Sequence, residues 1–151
     1  MIGLTPSQTD YLKAVYFISK EGNITVTKIA DFMSCSKPSV VRALKELNEL
    51  NLIIYRNTKI AMTDTGIKYA KNISRRDEVL KCFFKDVLGV DDAIATADAN
   101  SLKYGVSCYT ITKLEEYISK LMGTEINDNH DYCLCDGNKT LCTECINKKA
   151  N

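Results

Sequence analysis

The residues best suited to chemistry are four cysteines that lie close together near the end of the sequence. Their spacing is C-x-C-x6-C-x2-C, and they are Cys133, Cys135, Cys142 and Cys145. Four thiolates in one short loop bind soft metals well, and both tetrahedral zinc and iron–sulfur clusters take four cysteine ligands. The surrounding residues 124–151 are polar and Asn-rich, with few apolar side chains to order them. The spacing therefore predicts a four-cysteine metal site and leaves zinc and an iron–sulfur cluster as alternatives.

Two other interpretations of this stretch stay open. His130 lies three residues before Cys133 and could replace one thiolate as a ligand, and a disordered tail of free thiols would have the same composition. The other cysteines, Cys35, Cys82 and Cys108, are scattered singly, as small apolar core residues are. Because the start of the sequence lacks the features of a signal peptide, we expect a cytoplasmic protein without a disulfide framework.

A second set of chemically suited residues lies at the start of a predicted helix. These residues carry hydroxyl or basic groups, and they are Ser36, Lys37, Ser39 and Arg42. Ser36 is a plausible N-cap and Pro38 suits the first turn, while a shorter helix capped by Thr25 comes just before. Such side chains on the exposed start of a second helix, after a tight turn, are typical of a major-groove recognition helix. Two ordinary helices of an all-α core are the alternative.

A short hairpin is predicted directly after these helices. Residues 51–55 and 60–62 are rich in β-branched and apolar side chains, and residues 56–59 form a polar turn between them. The turn contains Arg56 and Lys59, which suit a phosphate backbone or the minor groove. Helix, turn, helix and a basic hairpin together predict a winged helix-turn-helix.

The remaining elements are predicted to be helical. They are an opening helix over residues 5–19, a long connector from 64 to 89, and helices over 91–105 and 110–122. The predicted fold is therefore mainly α. A winged helix-turn-helix domain spans residues 1–72, an all-α dimerisation domain spans 73–123, and a Cys-rich metal-binding tail spans 124–151.

The connector has more apolar side chains than so few helices can bury. We therefore expect Val79, Phe83 and Phe84 to lie in a homodimer interface, which would also supply two half-sites for DNA. A monomer with a fuller core is the alternative.

Charge and composition narrow the class of protein. The net charge is +1. Residues 1–72 hold ten Lys or Arg against six Asp or Glu, so the excess of basic residues lies in the predicted DNA-binding domain. No apolar run approaches the roughly 20 residues of a membrane span. No nucleophile and base gather into a substrate pocket, so we expect neither an enzyme nor a small-molecule substrate. The alternatives are a protein-interaction module with a structural zinc knob and a small electron carrier or redox enzyme.

Four segments in order carry a family resemblance. They are LTPSQTDYLKAVY, IADFMSCSKPSVVRALKEL, MTDTGIKYA and RRDEVLKCFFKDVLGVDD. Over roughly residues 4–121 the chain resembles the diphtheria toxin repressor and manganese transport regulator family of metal-dependent repressors. The resemblance implies a winged helix followed by a helical dimerisation domain, and metal-activated repression by a homodimer on a palindromic operator in double-stranded DNA.

The resemblance also implies a metal site, but its ligand positions fall on poorly suited residues. Those positions are Asp10, Lys13, Asp77, Asn100, Lys103 and Tyr104. Transition metals favour imidazole, carboxylate and thiolate ligands, whereas two of these side chains are ammonium groups that repel a cation. We therefore expect the family's site to be degenerate and control to pass through the four cysteines. A weak Mg²⁺ or Mn²⁺ site at Asp10, Asp77 and Asn100 is the alternative.

A further hypothesis concerns Lys103. If its side chain reaches between Asp10 and Asp77, its charge would stand where the metal's charge would, and no ligand would be needed. Independent surface charges are the alternative, each pair contributing less than about 1 kcal/mol.

Overall fold

The computed structural model describes residues 4–123, which divide into two compact units. The N-terminal unit extends to Lys71 and the C-terminal unit begins at Asn72, within one long helix. The elements in chain order are α1 (Pro6–Lys20), α2 (Val26–Met33), α3 (Lys37–Glu49), β1 (Ile53–Arg56), β2 (Lys59–Met62), α4 (Asp64–Cys82), a π-helical turn (Phe83–Val87), α5 (Asp92–Leu102) and α6 (Cys108–Met122). This architecture confirms the predicted mainly α fold with an N-terminal winged helix-turn-helix.

The four clustered cysteines, His130 and the rest of the predicted metal-binding tail lie outside the described residues. Within residues 4–123, none of the helices combines the length and the apolar character that a membrane span requires.

Side-chain caps begin each of the first three helices. Thr5 Oγ1 accepts from Gln8 N at 3.2 Å while Gln8 Oε1 accepts from Thr5 N at 3.0 Å, which is a capping box. Thr25 Oγ1 accepts from Lys28 N at 3.2 Å, and Ser36 Oγ accepts from Ser39 N at 3.4 Å. Because each cap satisfies an amide that the helix itself leaves without a partner, local sequence sets where these helices start.

The core of the N-terminal unit lies between α1, α2, α3 and the hairpin. Its fully buried side chains recur every three or four residues on the helices, and they include Leu12, Val15, Ile29, Val40, Leu44, Leu47, Leu52 and Ile53. Burying one such side chain contributes roughly 1.5–3 kcal/mol. Gln8 Nε2 also donates to Glu46 Oε2 at 2.9 Å, which joins α1 to α3.

The hairpin differs from the prediction at its tip. The register pairs Ile53 with Met62 and ends with Arg56 opposite Lys59. The central residues of the turn are Asn57 and Thr58, at φ 48° and 66°. Positive φ at both central residues defines the tight turn whose twist suits a two-residue hairpin. The predicted turn over residues 56–59 is therefore observed, with Arg56 and Lys59 as its outer residues, but each strand extends one residue further than predicted because these two residues also form the last strand pair.

The connector also departs from a regular helix near its end. α4 is followed by the π-helical turn, in which Leu88 N donates to Phe83 O at 3.1 Å, and Gly89 then adopts φ 71°. α5 is capped by Asp91, whose Oδ1 accepts from Ala93 N at 2.9 Å, and it ends at Leu102 rather than at the predicted 105. Gly123, at φ 65°, ends α6 as predicted.

The C-terminal unit has its own small core. Val79, Leu80, Ala99, Ile111 and Ile118 are buried together, and Phe83 and Phe84 pack partly against them. The guanidinium of Arg75 pairs with Glu115, which ties α4 to α6. Val79 is only 7% exposed within its own chain, so it leaves little surface for a second subunit. On α6, the apolar side chains of Tyr117 and Leu121 are 50% and 57% exposed.

Candidate functional site

The outward face of α3 forms a shallow groove with a basic lining. Lys37, Pro38, Val41, Arg42 and Lys45 line it. Val40 and Leu44, on the opposite face, are fully buried, which fixes the orientation of this helix. Arg42 and Lys45 are both exposed and lie one turn apart. Lys45 was not among the predicted DNA contacts, although its spacing of three residues from Arg42 was a signal for it.

Two hydroxyls at the start of α3 are already engaged with each other. Ser36 Oγ lies 2.8 Å from Ser39 Oγ and also accepts from Ser39 N. In such a pair one hydroxyl proton is used between the two oxygens and the other stays available to an outside acceptor. Ser36 and Ser39 together can therefore donate one hydrogen bond to a phosphate without losing the cap.

The tight turn between α2 and α3 is fixed from the side of α1. Ser34 adopts the left-handed conformation at φ 51° and ends α2. The Tyr11 hydroxyl then donates to Cys35 Sγ at 3.4 Å. This hydrogen bond, reinforced by burial, raises the pKa of Tyr11, so the phenol remains a donor at neutral pH. The angle at which α3 leaves the turn is thus held by α1.

The hairpin is likewise held against α3. Asn48 Oδ1 accepts from Tyr55 N at 2.9 Å, and Thr63 Oγ1 donates toward Asn51 O at 2.8 Å. Gly66 allows the start of α4 to pass the hairpin, since a Cβ there would lie 1.8 Å from the Leu52 carbonyl oxygen. These contacts set the position of the exposed Arg56 and Lys59 relative to the groove on α3.

A second cluster of charged and polar groups lies in the C-terminal unit. Lys103 is only 4% exposed, and its Nζ lies 3.4 Å from Asp77 Oδ1 and 3.1 Å from Asn100 Oδ1. The same ammonium lies 5.2 Å from the centre of the Tyr104 ring, within the range of a cation–π contact. The structure therefore brings three of the residues at the family's ligand positions together around the ammonium group of a fourth, Lys103. We call Asp77, Asn100, Lys103 and Tyr104 the Lys103 cluster.

Arg76 supports the Lys103 cluster, and sequence reasoning missed it. Arg76 is 7% exposed, and its guanidinium donates to the Lys103 carbonyl oxygen at 2.8 Å and to the Val106 carbonyl oxygen at 2.6 Å. It also donates to Asn72 Oδ1 at 3.2 Å and to Cys108 Sγ at 3.0 Å. Arg76 thus fixes the connection between α5 and α6 at the point where Lys103 leaves the helix. Its position four residues after Asn72 and three before Val79, on the buried side of α4, was the available signal.

The other ligand positions from the resemblance lie in the N-terminal unit. Asp10 is exposed on α1 and Lys13, also on α1, is half-buried. Within residues 4–123 there is no group of three or more His, Cys, Asp or Glu side chains placed to hold a metal ion.

Two family models match the chain and together cover most of it. Residues 3–61 match "Iron dependent repressor, N-terminal DNA binding domain", and residues 63–125 match "Iron dependent repressor, metal binding and dimerisation domain". Members of this family are dimeric DNA-binding repressors that bind operator DNA, and the family is not one of enzymes.

Individual relatives agree with the family models. An uncharacterized HTH-type transcriptional regulator of Methanocaldococcus jannaschii is 28% identical over 78% of this chain and 96% of its own length. The HTH-type transcriptional regulator MntR of Shouchella clausii is 28% identical over 76% of this chain and 80% of its own. Among solved structures, the manganese regulator SloR has a TM-score of 0.65 at 25% identity, over 77% of this chain and 55% of the SloR chain. The chain therefore belongs to the iron-dependent repressor family and is a transcriptional repressor of the metal-dependent, DtxR/MntR type.

Proposed function

We propose that α3 enters the major groove of operator DNA and that the hairpin contacts the flanking backbone. The observation that carries this proposal is the α3 groove, because it exposes Arg42 and Lys45 on the face opposite a fully buried one. A helix with one apolar face in the core and one basic face in solvent suits major-groove recognition.

Within this arrangement the side chains have different roles. Arg42, one turn past the start of α3, contacts a base edge, and a guanine is the best partner because its O6 and N7 accept two hydrogen bonds. Lys37, Lys45 and the hydroxyl pair of Ser36 and Ser39 contact phosphates. Arg56 and Lys59 contact phosphates or the minor groove from the hairpin tip.

The homodimer interface is proposed to lie at the end of the connector. Phe83 and Phe84 are only half-buried, and Leu88 just beyond them is 58% exposed. Apolar side chains that one chain leaves partly exposed are suited to a two-fold interface. Such an interface would bring two α3 helices to the two halves of a palindromic operator.

Control is proposed to pass through the cysteines of the tail. Cys133, Cys135, Cys142 and Cys145 have the spacing and number for zinc or an iron–sulfur cluster. Because metal binding can order a segment that lacks an apolar core, loading or loss of the metal would change the chain that follows α6.

The DNA proposal is tested by comparing two duplexes of equal length. One comes from upstream of the protein's own gene and the other has a random sequence, and both are titrated at several salt concentrations. Specific recognition predicts a preference of roughly 10³-fold or more for one duplex and a steep loss of affinity with salt. Equal affinities for several upstream duplexes and the random duplex would contradict the proposal.

The control proposal is tested with a variant in which serine replaces all four tail cysteines. Operator affinity should differ between this variant and the wild type, and chelation or oxidation should change only the wild type. The absorption spectrum of anaerobically purified protein separates the metals, since an iron–sulfur cluster has broad visible bands and zinc has none. Equal operator affinity of the two proteins under every condition would contradict control through the tail.

A further inference from the structure

We infer that the Lys103 ammonium is a built-in cation of the C-terminal unit. It contacts the side-chain oxygens that a divalent metal would need as ligands. The fold of this unit therefore does not depend on a divalent metal. The inference begins from a disagreement between family and chain: residues 63–125 match a metal-binding and dimerisation domain, yet within residues 4–123 no group of three or more metal-ligating side chains is assembled.

The geometry of the Lys103 cluster is that of a cation with its ligands. Two side-chain oxygens, one from Asp77 and one from Asn100, approach the ammonium at 3.4 and 3.1 Å. The face of the Tyr104 ring lies 5.2 Å away and supplies a third electron-rich surface. A carboxylate, an amide oxygen and an aromatic face all favour a positive charge at one point, and Lys103 Nζ is at that point.

The ion pair between Lys103 and Asp77 is more buried than an ordinary surface ion pair. The Lys103 side chain is 4% exposed and that of Asp77 is 19% exposed. A buried ammonium is tolerated only when it is paired and hydrogen-bonded, so each partner depends on the other. By contrast, the ion pair between Lys113 and Glu116 on α6 has side chains that are 50% and 35% exposed.

Arg76 fixes the position of the Lys103 backbone. It donates to the carbonyl oxygens of Lys103 and Val106 and is itself buried. These two hydrogen bonds come from one rigid guanidinium and fix the backbone between α5 and α6, from which the Lys103 side chain projects. The ammonium is therefore held on Asp77 and Asn100 by the fold of the same unit.

A divalent ion does not fit this arrangement. Mn²⁺ or Fe²⁺ would need several oxygen, nitrogen or sulfur ligands, but the cluster offers one carboxylate and one amide oxygen, both already engaged by a positive charge. A second cation would also be repelled by the ammonium. The inference deepens the proposed function by removing Mn²⁺ and Fe²⁺ control from this unit, and its test by thermal unfolding does not depend on DNA binding.

The first test uses the unmodified full chain. Its melting temperature is measured with millimolar Mn²⁺ and, separately, without added metal. Manganese binds thiolates weakly and no chelator is present to remove a metal from the tail cysteines, so the tail contributes little. A built-in cation predicts the same melting temperature in both. A rise of several degrees with Mn²⁺, together with heat of binding in calorimetry, would overturn the inference.

The second test replaces the ammonium. Lys103→Met keeps the apolar stem and removes the ammonium that approaches Asp77 and Asn100, so the melting temperature should fall by roughly 10 °C or more. The matched control, Lys113→Met, breaks an exposed ion pair and should change it by no more than about 2 °C. Adding Asp77→Asn to Lys103→Met should recover much of the loss. Equal effects of Lys103→Met and Lys113→Met would overturn the inference.

A third arm separates a cation role from simple packing. Lys103→Glu places two carboxylates beside Asn100, and Mn²⁺ should then raise the melting temperature of this variant by several degrees while leaving the wild type unchanged. A folded Lys103→Glu protein with no response to Mn²⁺ would overturn the claim that the ammonium stands in a cation position. If Lys103→Glu does not fold, the melting temperature of the wild type with and without Mn²⁺ still tests the inference.

Discussion

Arg56 and Lys59 face each other directly across the hairpin as its last strand pair. Directly opposed residues of antiparallel strands lie on the same face, so two positive charges are held side by side at an exposed tip. Like charges directly opposite each other destabilise an antiparallel strand pair. A phosphate oxygen between them would relieve the repulsion, which is consistent with the proposed contact of the hairpin with nucleic acid.

The first prediction follows from this pair. Lys59→Gln should leave the free energy of unfolding unchanged or slightly higher, because it removes the repulsion. The same change should weaken binding to all duplex DNA and lower the slope of log affinity against log salt by about 1. Anisotropy titrations and thermal melts of the same protein measure the two effects. Lys120→Gln, an exposed change on α6, is the control and should alter neither.

The second prediction concerns sequence specificity. Arg42→Ala should cost roughly 1–3 kcal/mol of binding free energy on the specific operator and much less on random DNA, because a base contact is lost. Lys59→Gln should instead weaken binding to both duplexes to a similar degree. If Arg42→Ala weakens both equally, Arg42 is a backbone contact and the base-reading role assigned to it is incorrect.

The third prediction concerns the joint between the hairpin and α4. Gly66→Ala places a methyl group 1.8 Å from the Leu52 carbonyl oxygen, where neither backbone can move freely. The change should destabilise the N-terminal unit by about 2 kcal/mol or more, as overpacking against backbone does. Gly105→Ala is a matched control, since its nearest neighbour would lie 3.7 Å away. Urea unfolding of the two variants should separate clearly, and equal midpoints would contradict this account.

The fourth prediction concerns the dimer. Phe83→Asp should convert the protein to monomers with weak operator binding, because a charge would be buried between subunits. Phe32→Asp, which changes a side chain that is 59% exposed on α2, should leave the oligomeric state unchanged. Sedimentation velocity measures the mass, and circular dichroism checks that both variants fold. A monomeric wild type at micromolar concentration would contradict the proposed interface.

The fifth prediction is a pH dependence. Asp92 accepts from Lys85 Nζ at 2.8 Å and Lys81 Nζ at 3.1 Å, and these hydrogen bonds lower its pKa. A lowered folded pKa means that the stabilisation is complete above the unfolded value of about 3.9 and is lost as pH falls through the folded pKa. Asp92→Asn should thus be slightly less stable than the wild type near neutral pH, with the difference closing in acid. A difference that stays constant down to low pH, or that survives high salt unchanged, would point to another cause.

Local chemistry made much of the fold predictable. Thr5, Thr25 and Ser36 are caps whose partners lie three residues away, so the sequence alone locates the helix starts. The strand ends at the hairpin tip differ from the prediction by one residue each. The two-residue tight turn was not foreseen because Thr58, a β-branched residue, adopts a positive φ that such residues rarely take. The π-helical turn at the end of the connector could not be predicted from apolar residues that recur every 3.6 positions, because that pattern indicates only a regular α-helix.

The candidate sites were less accessible from sequence, because they depend on contacts between distant positions. Arg76 lies in a run of charged residues that suggests a solvated face, yet three of its four hydrogen-bond partners are 27 to 32 residues further along the chain. The association of Lys103 with Asp77 was a hypothesis from residue types, and the resemblance implied that Asn100 and Tyr104 lie at positions of the same site. That both approach the Lys103 ammonium is known only from the structure. Val79 was predicted to lie in the dimer interface but is buried in the core of its own unit. The sequence alone does not separate the two, since an apolar residue on the connector can belong to either a core or an interface.

The most direct test of the account is selection of bound sequences from a random pool of duplex DNA, performed with the wild type and with Arg42→Ala. A homodimer that reads DNA with α3 should enrich a two-fold symmetric site whose half-site centres are about one helical turn apart or a multiple of it. Arg42→Ala should lose the preference at one base pair in each half-site and keep the rest. No enrichment with the wild type, or the same enriched site for both proteins, would contradict the account.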